Sequence, residues 1–157
     1  MLRAATEADL DTIIELIHAL ADYEREPDAV RLDRGVLRGH LFGPRPYAEV
    51  ILAETDTGES AGFALFFHNF STWEGKPGIY LEDLFVRPEF RGHGYGKALL
   101  SELARLAVER GCARLEWAVL DWNEPSIQFY KALGAVPMDE WTTYRVTGDA
   151  LRGLAGR

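Results

Sequence analysis

Two carboxylates, Glu82 and Asp83, stand side by side in the otherwise apolar run Ile79-Tyr80-Leu81-Glu82-Asp83-Leu84-Phe85-Val86. Eight residues after Asp83 the chain passes through Arg91-Gly92-His93-Gly94-Tyr95-Gly96-Lys97 and enters an apolar segment. Adjacent acids can hold a cation or remove its proton. Alternating glycines before a helix let exposed backbone N–H groups approach an anion closely, and Arg91 and Lys97 add positive charge at either end. One stretch thus combines a site for a cation with a cradle for phosphate. A glycine-rich turn with no ligand, and an edge strand with both acids wet, are the plainer alternatives.

Neighbouring strand residues point to opposite faces. The apolar flanks of Glu82 and Asp83 imply a central strand, so at least one of the two must line a polar cavity or meet a partner, because an unpaired buried carboxylate is costly or becomes protonated. The glycine turn is neither of two common phosphate motifs. Gly92 and Gly96 enclose three residues and Lys97 is followed by Ala98, so the Walker spacing and its hydroxyl are missing and an NTPase is disfavoured. The spacing G-x-G-x-G also fails the dinucleotide fingerprint.

The elements that must position these groups are legible from periodicity and punctuation. Residues 2–6 read as a short strand, and Thr6 opens a capping-box pattern ahead of Leu10, Ile13, Ile14, Ile17, Leu20 and Ala21 at helical spacing, with Pro27 as the expected end. A second short helix is expected from Asp33 to Phe42. Residues 47–54 and 61–70 read as a hairpin. A loop holding Trp73, Gly75, Pro77 and Gly78 leads to the acid-bearing strand. A helix over 95–110 with Gly111 as its cap follows, then a strand at 113–120. Asp121-Trp122-Asn123-Glu124-Pro125-Ser126 caps a helix reaching Leu133. Two strands near 135–147 and a short terminal helix complete the chain. The order is that of one mixed α/β domain over residues 1–157, in which the strand, glycine turn, helix and strand of 79–120 form a βαβ unit.

The sequence resembles the GNAT N-acetyltransferase superfamily, since LFVRPEFRGHGYGKALL carries that family's Arg/Gln-x-x-Gly-x-Gly/Ala signature in a strand–turn–helix setting. Within it, the resemblance is to the spermidine/spermine N1-acetyltransferase and thialysine acetyltransferase branch. It covers nearly the whole chain and includes LADYE at 20–24, YLEDLFV, RGHGYG and WNEPSIQFYKALGA. It implies the GNAT fold, a mixed and mostly antiparallel sheet flanked by helices around a central strand–glycine turn–helix site. It also implies that Arg91, Gly92, His93, Gly94, Tyr95, Gly96 and Lys97 bind the pyrophosphate of acetyl-CoA. The backbone of Leu84, Phe85 and Val86 would then face the pantetheine, and Asn123 and Ser126 would contact the coenzyme.

The implied reaction is acetyl transfer to a primary amine. An alkyl ammonium has a pKa of ~10.4, so near neutrality only about 1 in 2,500 molecules has a free lone pair, a cost of ~4.6 kcal/mol. Glu82 is expected to remove that proton, directly or through a water, while Asp83 holds the cation. Attack on the thioester expels a thiolate, and Tyr130 is the expected acid that protonates it. On the residues alone, Tyr130 is equally a core aromatic. The resemblance further implies that Tyr23, Glu24, Glu116, Trp117, Ala118, Trp73 and Trp141 line the amine channel with Glu82 and Asp83. Each Trp read without the family is as well explained as core. Ser71 departs from the polyamine enzymes, which carry an acid there, so a diamine, a polyamine and a lysine-like amino acid all stay open. The related branch implies a homodimer with its C-terminal portion in the interface.

Other classes are constrained by composition. The net charge of −8 argues against nucleic-acid binding and fits a cationic small substrate, or serves only solubility. No apolar run is long enough to span a bilayer, and the N-terminus has acids where a signal peptide needs an apolar stretch, so a cytoplasmic location is expected. The one cysteine, Cys112, fits a reducing compartment. His18, His40, His68 and His93 lie on separate elements with no ligand spacing, so no metal is expected. A non-catalytic acyl-CoA-binding regulatory module and a protein acetyltransferase are the competing functions.

Overall fold

Thr6 does open a capped turn. Its backbone N–H donates to Asp9 Oδ2 at 2.7 Å, closing a 3-10 turn over Glu7–Asp9 between strand β1 (Leu2–Ala4) and helix α1 (Leu10–Tyr23). The computed structural model describes residues 1–156, and the chain divides into two units, Met1–Leu120 and the residues from Asp121 onward. In the first unit, helix α2 (Arg34–Phe42) starts where Asp33 accepts the Val36 N–H at 2.9 Å. Strands β2 (Glu49–Glu54), β3 (Ser60–Ser71) and β4 (Lys76–Val86) follow, then helix α3 (Tyr95–Glu109) and strand β5 (Leu115–Trp117).

The five strands form one sheet in the order β1-β2-β3-β4-β5. All neighbouring pairs are antiparallel except β4 and β5, which α3 joins as parallel neighbours. The mixed, mostly antiparallel sheet and the βαβ unit therefore stand as expected. Helix α1 lays Ile13, Leu16 and Leu20 against Val50, Leu52, Phe63 and Phe85, with Leu41 of α2 closing the cluster. Helix α3 buries Leu99, Leu100, Leu103 and Ala107 and packs on β2, β3 and β4. Each such side chain contributes about 1.5–3 kcal/mol when fully removed from water. Helices and apolar burial thus hold β4 in the middle of the sheet, between β3 and β5.

Three boundaries differ from expectation. Strand β4 begins at Lys76, so Pro77 and Gly78 lie in a strand and the preceding turn is shorter. Strand β5 has three residues instead of the eight expected. The two strands expected near 135–147 are not formed among the described residues. That segment keeps a strand-like alternation, with Val136, Met138, Tyr144 and Val146 exposed. An alternating pattern becomes a strand only where a neighbour takes its N–H and C=O groups, and no ladder is made there. The second unit, taken by itself, has helix α4 (Glu124–Ala132), capped by Asn123 and stopped at Gly134 with φ 91°, and helix α5 (Gly148–Leu154).

Arg3 ties the sheet to the start of α1. Its Nη1 and Nη2 each donate to an Asp9 oxygen at 2.8 Å, and its Nε donates to Glu54. The paired guanidinium holds the Asp9 carboxyl down at about 2, against its partial burial. A depressed carboxyl stabilises the fold above its unfolded pKa, and that contribution is lost as pH falls from about 4 to 2. Asp9→Asn is therefore expected to cost about 1–2 kcal/mol near neutrality and almost nothing near pH 2. Urea midpoints of the two proteins across that range check it.

Candidate active site

The glycine turn owes its shape to backbone freedom. Gly92 and Gly94 have φ of 80° and 83°, a region that side chains oppose. A Cβ on either would meet nothing within 4 Å, so the space above them is open. Gly94 caps α3, and the first helical bond runs from Ala98 N–H to its carbonyl at 3.0 Å. The N–H groups of Tyr95, Gly96 and Lys97 consequently have no acceptor within the helix and present its positive end to that space. The donor set and the clearance fit a diphosphate. The His93 ring folds back, with Nδ1 3.1 Å and 3.0 Å from the carbonyls of Phe90 and Arg91, and braces the turn.

Strand β4 leads from this turn to the acids. Only Ile79–Leu81 pair with β5, so from Glu82 to Val86 no strand takes the edge of β4 that faces β5 among the described residues. The backbone of Leu84, Phe85 and Val86 is thus set beside an unpaired strand edge, which suits a linear ligand carrying its own amides. Glycine turn and strand edge together fit the two amide- and phosphate-bearing parts of coenzyme A.

The adjacent acids sit at an irregularity. Leu65 faces Asp83 and Phe66 faces Leu81, leaving Glu82 with no residue opposite it. A residue inserted in this way suspends the alternation of a strand. Strict alternation therefore does not decide the facing of Glu82 and Asp83, contrary to the sequence expectation. Glu82 is exposed and Asp83 partly buried. Among the described residues, β4 is flanked on both sides only as far as Leu81 and is an open edge at the two acids, but Asp83 is partly buried, so the alternative of two wet acids fails.

Electrostatics gather further residues around this point. Burial, then Glu82 and Glu24, push the Asp83 carboxyl up to about 7. Burial and Glu82 also raise Glu24 at the end of α1. Burial, Glu82 and Glu116 raise the Tyr80 phenol. No ion pair of the first unit, among the described residues, uses Glu24, Glu82, Asp83 or Glu116. The surroundings of Asp83 are thus arranged against negative charge in the absence of an added cation.

Arg91 joins the two ends. Its Nε donates to the Val86 carbonyl at 3.0 Å, and its guanidinium lies 4.9 Å from the centre of the Tyr23 ring and 5.5 Å from that of Phe85. Tyr23 in turn meets Phe85 edge-on at 6.5 Å. The residue expected only to add charge near phosphate thereby anchors the Tyr23–Glu24 end of α1 to the turn.

The structure brings Tyr23, Glu24, Glu82, Asp83 and the glycine turn together within the first unit. Glu116, Trp117 and Ala118 lie on or just after β5. Trp73 lies at the β3–β4 turn and is 81% exposed. Ser71 accepts the Glu74 N–H at 3.2 Å and serves that turn. In the second unit Asn123 is buried and accepts the Ser126 N–H at 3.4 Å, Tyr130 is partly buried on α4, and Trp141 is exposed. Asn69 had no separate place in the sequence reading, Tyr80 stood there only as an apolar flank, and Gly78 was assigned to a loop. A lone glycine inside a strand was the one available signal, since it marks a close approach.

Comparison with known proteins bears on the family and the fold. The model of the acetyltransferase (GNAT) family matches residues 10–135. A thialysine N-epsilon-acetyltransferase from Bos taurus is 40% identical, with the alignment covering 100% of this chain and 98% of that protein. An L-ornithine N5-acetyltransferase from Arabidopsis thaliana is 32% identical over 98% of this chain and 86% of its own length. A solved integron cassette protein from the mobile metagenome of V. cholerae superposes with a TM-score of 0.81 at 28% identity, covering 100% of this chain and 98% of that one.

A carboxyl raised on folding stabilises the protein while protonated, fully below about pH 4, and that contribution is lost as pH rises through about 7. Asp83→Asn is therefore expected to be more stable than the parent by ~2–4 kcal/mol at pH 8, with the difference gone near pH 4. Paired denaturation curves at the two pH values test this, and equal stability at pH 8 would remove the desolvated carboxyl.

Proposed function

The chain belongs to the GNAT acetyltransferase family and is an acetyl-CoA-dependent N-acetyltransferase, and on that premise we propose that its acceptor is the primary amine of a small cation: a diamine, a polyamine or a lysine-like amino acid. The observation that carries the reading is the grouping of Asp83 with Glu82 and Glu24, to none of which a cation is paired among the described residues of the first unit. An ammonium entering there relieves the repulsion. The named acceptors of the relatives, thialysine and L-ornithine, are amines of this kind.

Acetyl-CoA supplies the acetyl group as a thioester. The N–H groups at the start of α3, with Arg91, Gly92, His93, Gly94, Tyr95, Gly96 and Lys97, hold its diphosphate. Leu84, Phe85 and Val86 offer backbone to the pantetheine, and Asn123 and Ser126 complete the cofactor contacts. Tyr23 and Glu24 receive the amine with Glu82, Asp83 and Glu116, while Trp73, Trp117, Ala118 and Trp141 border it. Proton removal is shared by the adjacent acids. Each pH unit by which burial keeps Asp83 above an ordinary aspartate lowers the cost of proton transfer from an ammonium at ~10.4 by about 1.4 kcal/mol. Asp83 is thus the better acceptor and Glu82, exposed beside it, the relay to solvent. Tyr130 gives its phenolic proton to the leaving sulfur.

The family match crosses the boundary between the two units and runs to residue 135, which supports reading the chain as one transferase domain. A homodimer belongs to the same proposal, with Val136, Met138, Trp141 and Tyr144 at its interface, where a second copy would remove exposed apolar surface from water. The free thiol of Cys112 supports a reducing, cytoplasmic setting.

A thiol-release assay over diamines, polyamines and amino acids is expected to show turnover; acetyl-CoA binding with no acetylation across that panel would point to a binding module instead. Tyr130→Phe is expected to lower kcat by about 100-fold or more with acetyl-CoA affinity retained. Gly94→Asp puts a side chain and a negative charge into the cradle, and calorimetry should find acetyl-CoA binding lost. Parent-like affinity in that variant would refute the cradle.

A further inference from the structure

Asn69 and Glu116 lie on strands that do not touch. Asn69 belongs to β3 and Glu116 to β5, with the whole of β4 between them. Two strand spacings amount to about 9.6 Å, yet Asn69 Nδ2 donates to Glu116 Oε1 at 3.3 Å. The crossing occurs at Gly78, the residue paired with Asn69. A Cβ at position 78 would lie 2.5 Å from Asn69 Oδ1 and 3.2 Å from the Arg114 carbonyl. No side chain fits there while the amide holds its place. The glycine is a gap in β4 through which β3 reaches β5.

The bond constrains the carboxylate of Glu116, whose strand is only three residues long and lies at the sheet margin. Its neighbour in register is Tyr80, two residues beyond Gly78 and three before Asp83. The ring of Tyr80 packs on Phe67 at 5.3 Å. One oxygen of Glu116 is used by Asn69, and no Lys or Arg of the first unit, among the described residues, pairs with the other. From Asp83 to the level of Tyr80 and Glu116, β4 advances about 7–10 Å, depending on the extra residue at Glu82. That is the span between the two nitrogens of a lysine-like amino acid or a short diamine.

We infer that Asn69, admitted by Gly78, is a positioning residue of the acceptor site, and that it holds Glu116 as the anchor for the second ammonium of the acceptor. The inference rests on the amine acetyltransferase reading above. It adds a selective element to it: one end of the acceptor meets Glu24, Glu82 and Asp83, where the transferred acetyl arrives, and the other meets a carboxylate on the neighbouring strand that Asn69 holds from across β4. An acceptor with one cation satisfies only the first.

The test compares 1,5-diaminopentane with pentylamine, which have the same chain and differ in the second cation. The parent protein is expected to have a kcat/KM at least ten times higher for the diamine. Asn69→Leu should raise KM for the diamine about tenfold with kcat kept, and leave both constants for pentylamine unchanged. Gly78→Ala should give the same split by displacing an amide that is still present. Because that glycine is buried, its melting temperature is measured alongside, and Asn69→Leu carries the test if Gly78→Ala does not fold. Equal losses with both amines, or an unchanged diamine KM in Asn69→Leu, overturn the positioning role. Equal use of both amines by the parent overturns the second anchor while the amine acetyltransferase stands. A parent that acetylates no amine overturns both.

Discussion

Desolvation of Asp83 sets the terms for the rest of the molecule. A carboxyl raised to about 7 is costly to ionise in an empty site, and folding tolerates it only because packing elsewhere is secure. That packing is the cluster formed by α1, α2 and the inner faces of β2, β3 and β4. Phe85, two residues from Asp83, is itself part of the cluster and carries the contacts to Tyr23 and Arg91. The apolar core and the polar site are therefore consecutive positions on one strand. What the fold loses in stability by burying an acid appears as a carboxyl that changes its charge near neutral pH.

The same strand sets a fixed separation between the glycine turn and the acids. Gly94 caps α3 at one end, and the unpaired edge from Glu82 to Val86 leads from it to the acids. Arg91 closes the arrangement by bonding the Val86 carbonyl and covering the Tyr23 ring. The last turn of α1, with Glu24, is thereby held to the glycine turn by a cation on an aromatic face. Such contacts strengthen where water is excluded.

Much of this was legible in the sequence, for reasons that are local. Glycines at 92, 94 and 96 before an amphipathic helix specify a backbone that few other residues adopt, and the apolar flanks of Glu82 and Asp83 announced an internal strand. The paired acids and the glycine turn also lie in one continuous stretch. What could not be read depends on register. Nothing near Glu82 signals that Leu65 and Phe66 will pair on either side of it. Nothing near Asn69 signals that it will stand opposite a glycine with Glu116 beyond. The stretch at 135–147 failed for a related reason, since its alternation is a real pattern, but pairing needs a partner strand and the described chain supplies none. Trp73, which read without the family is as well explained as core, stands 81% exposed at a hairpin tip.

The unopposed residue at Glu82 also bears on how far a substitution is felt. It acts as a seam in β4. Residues before it keep one register with β3 and lie beside β5; residues after it keep another and lead to the glycine turn. Substitutions on the early side, among Gly78, Tyr80 and their neighbours, can alter the surroundings of Glu116 without disturbing how Leu84, Phe85 and Val86 present their backbone. A strand divided in this way can vary on one side of the seam while the other keeps its geometry.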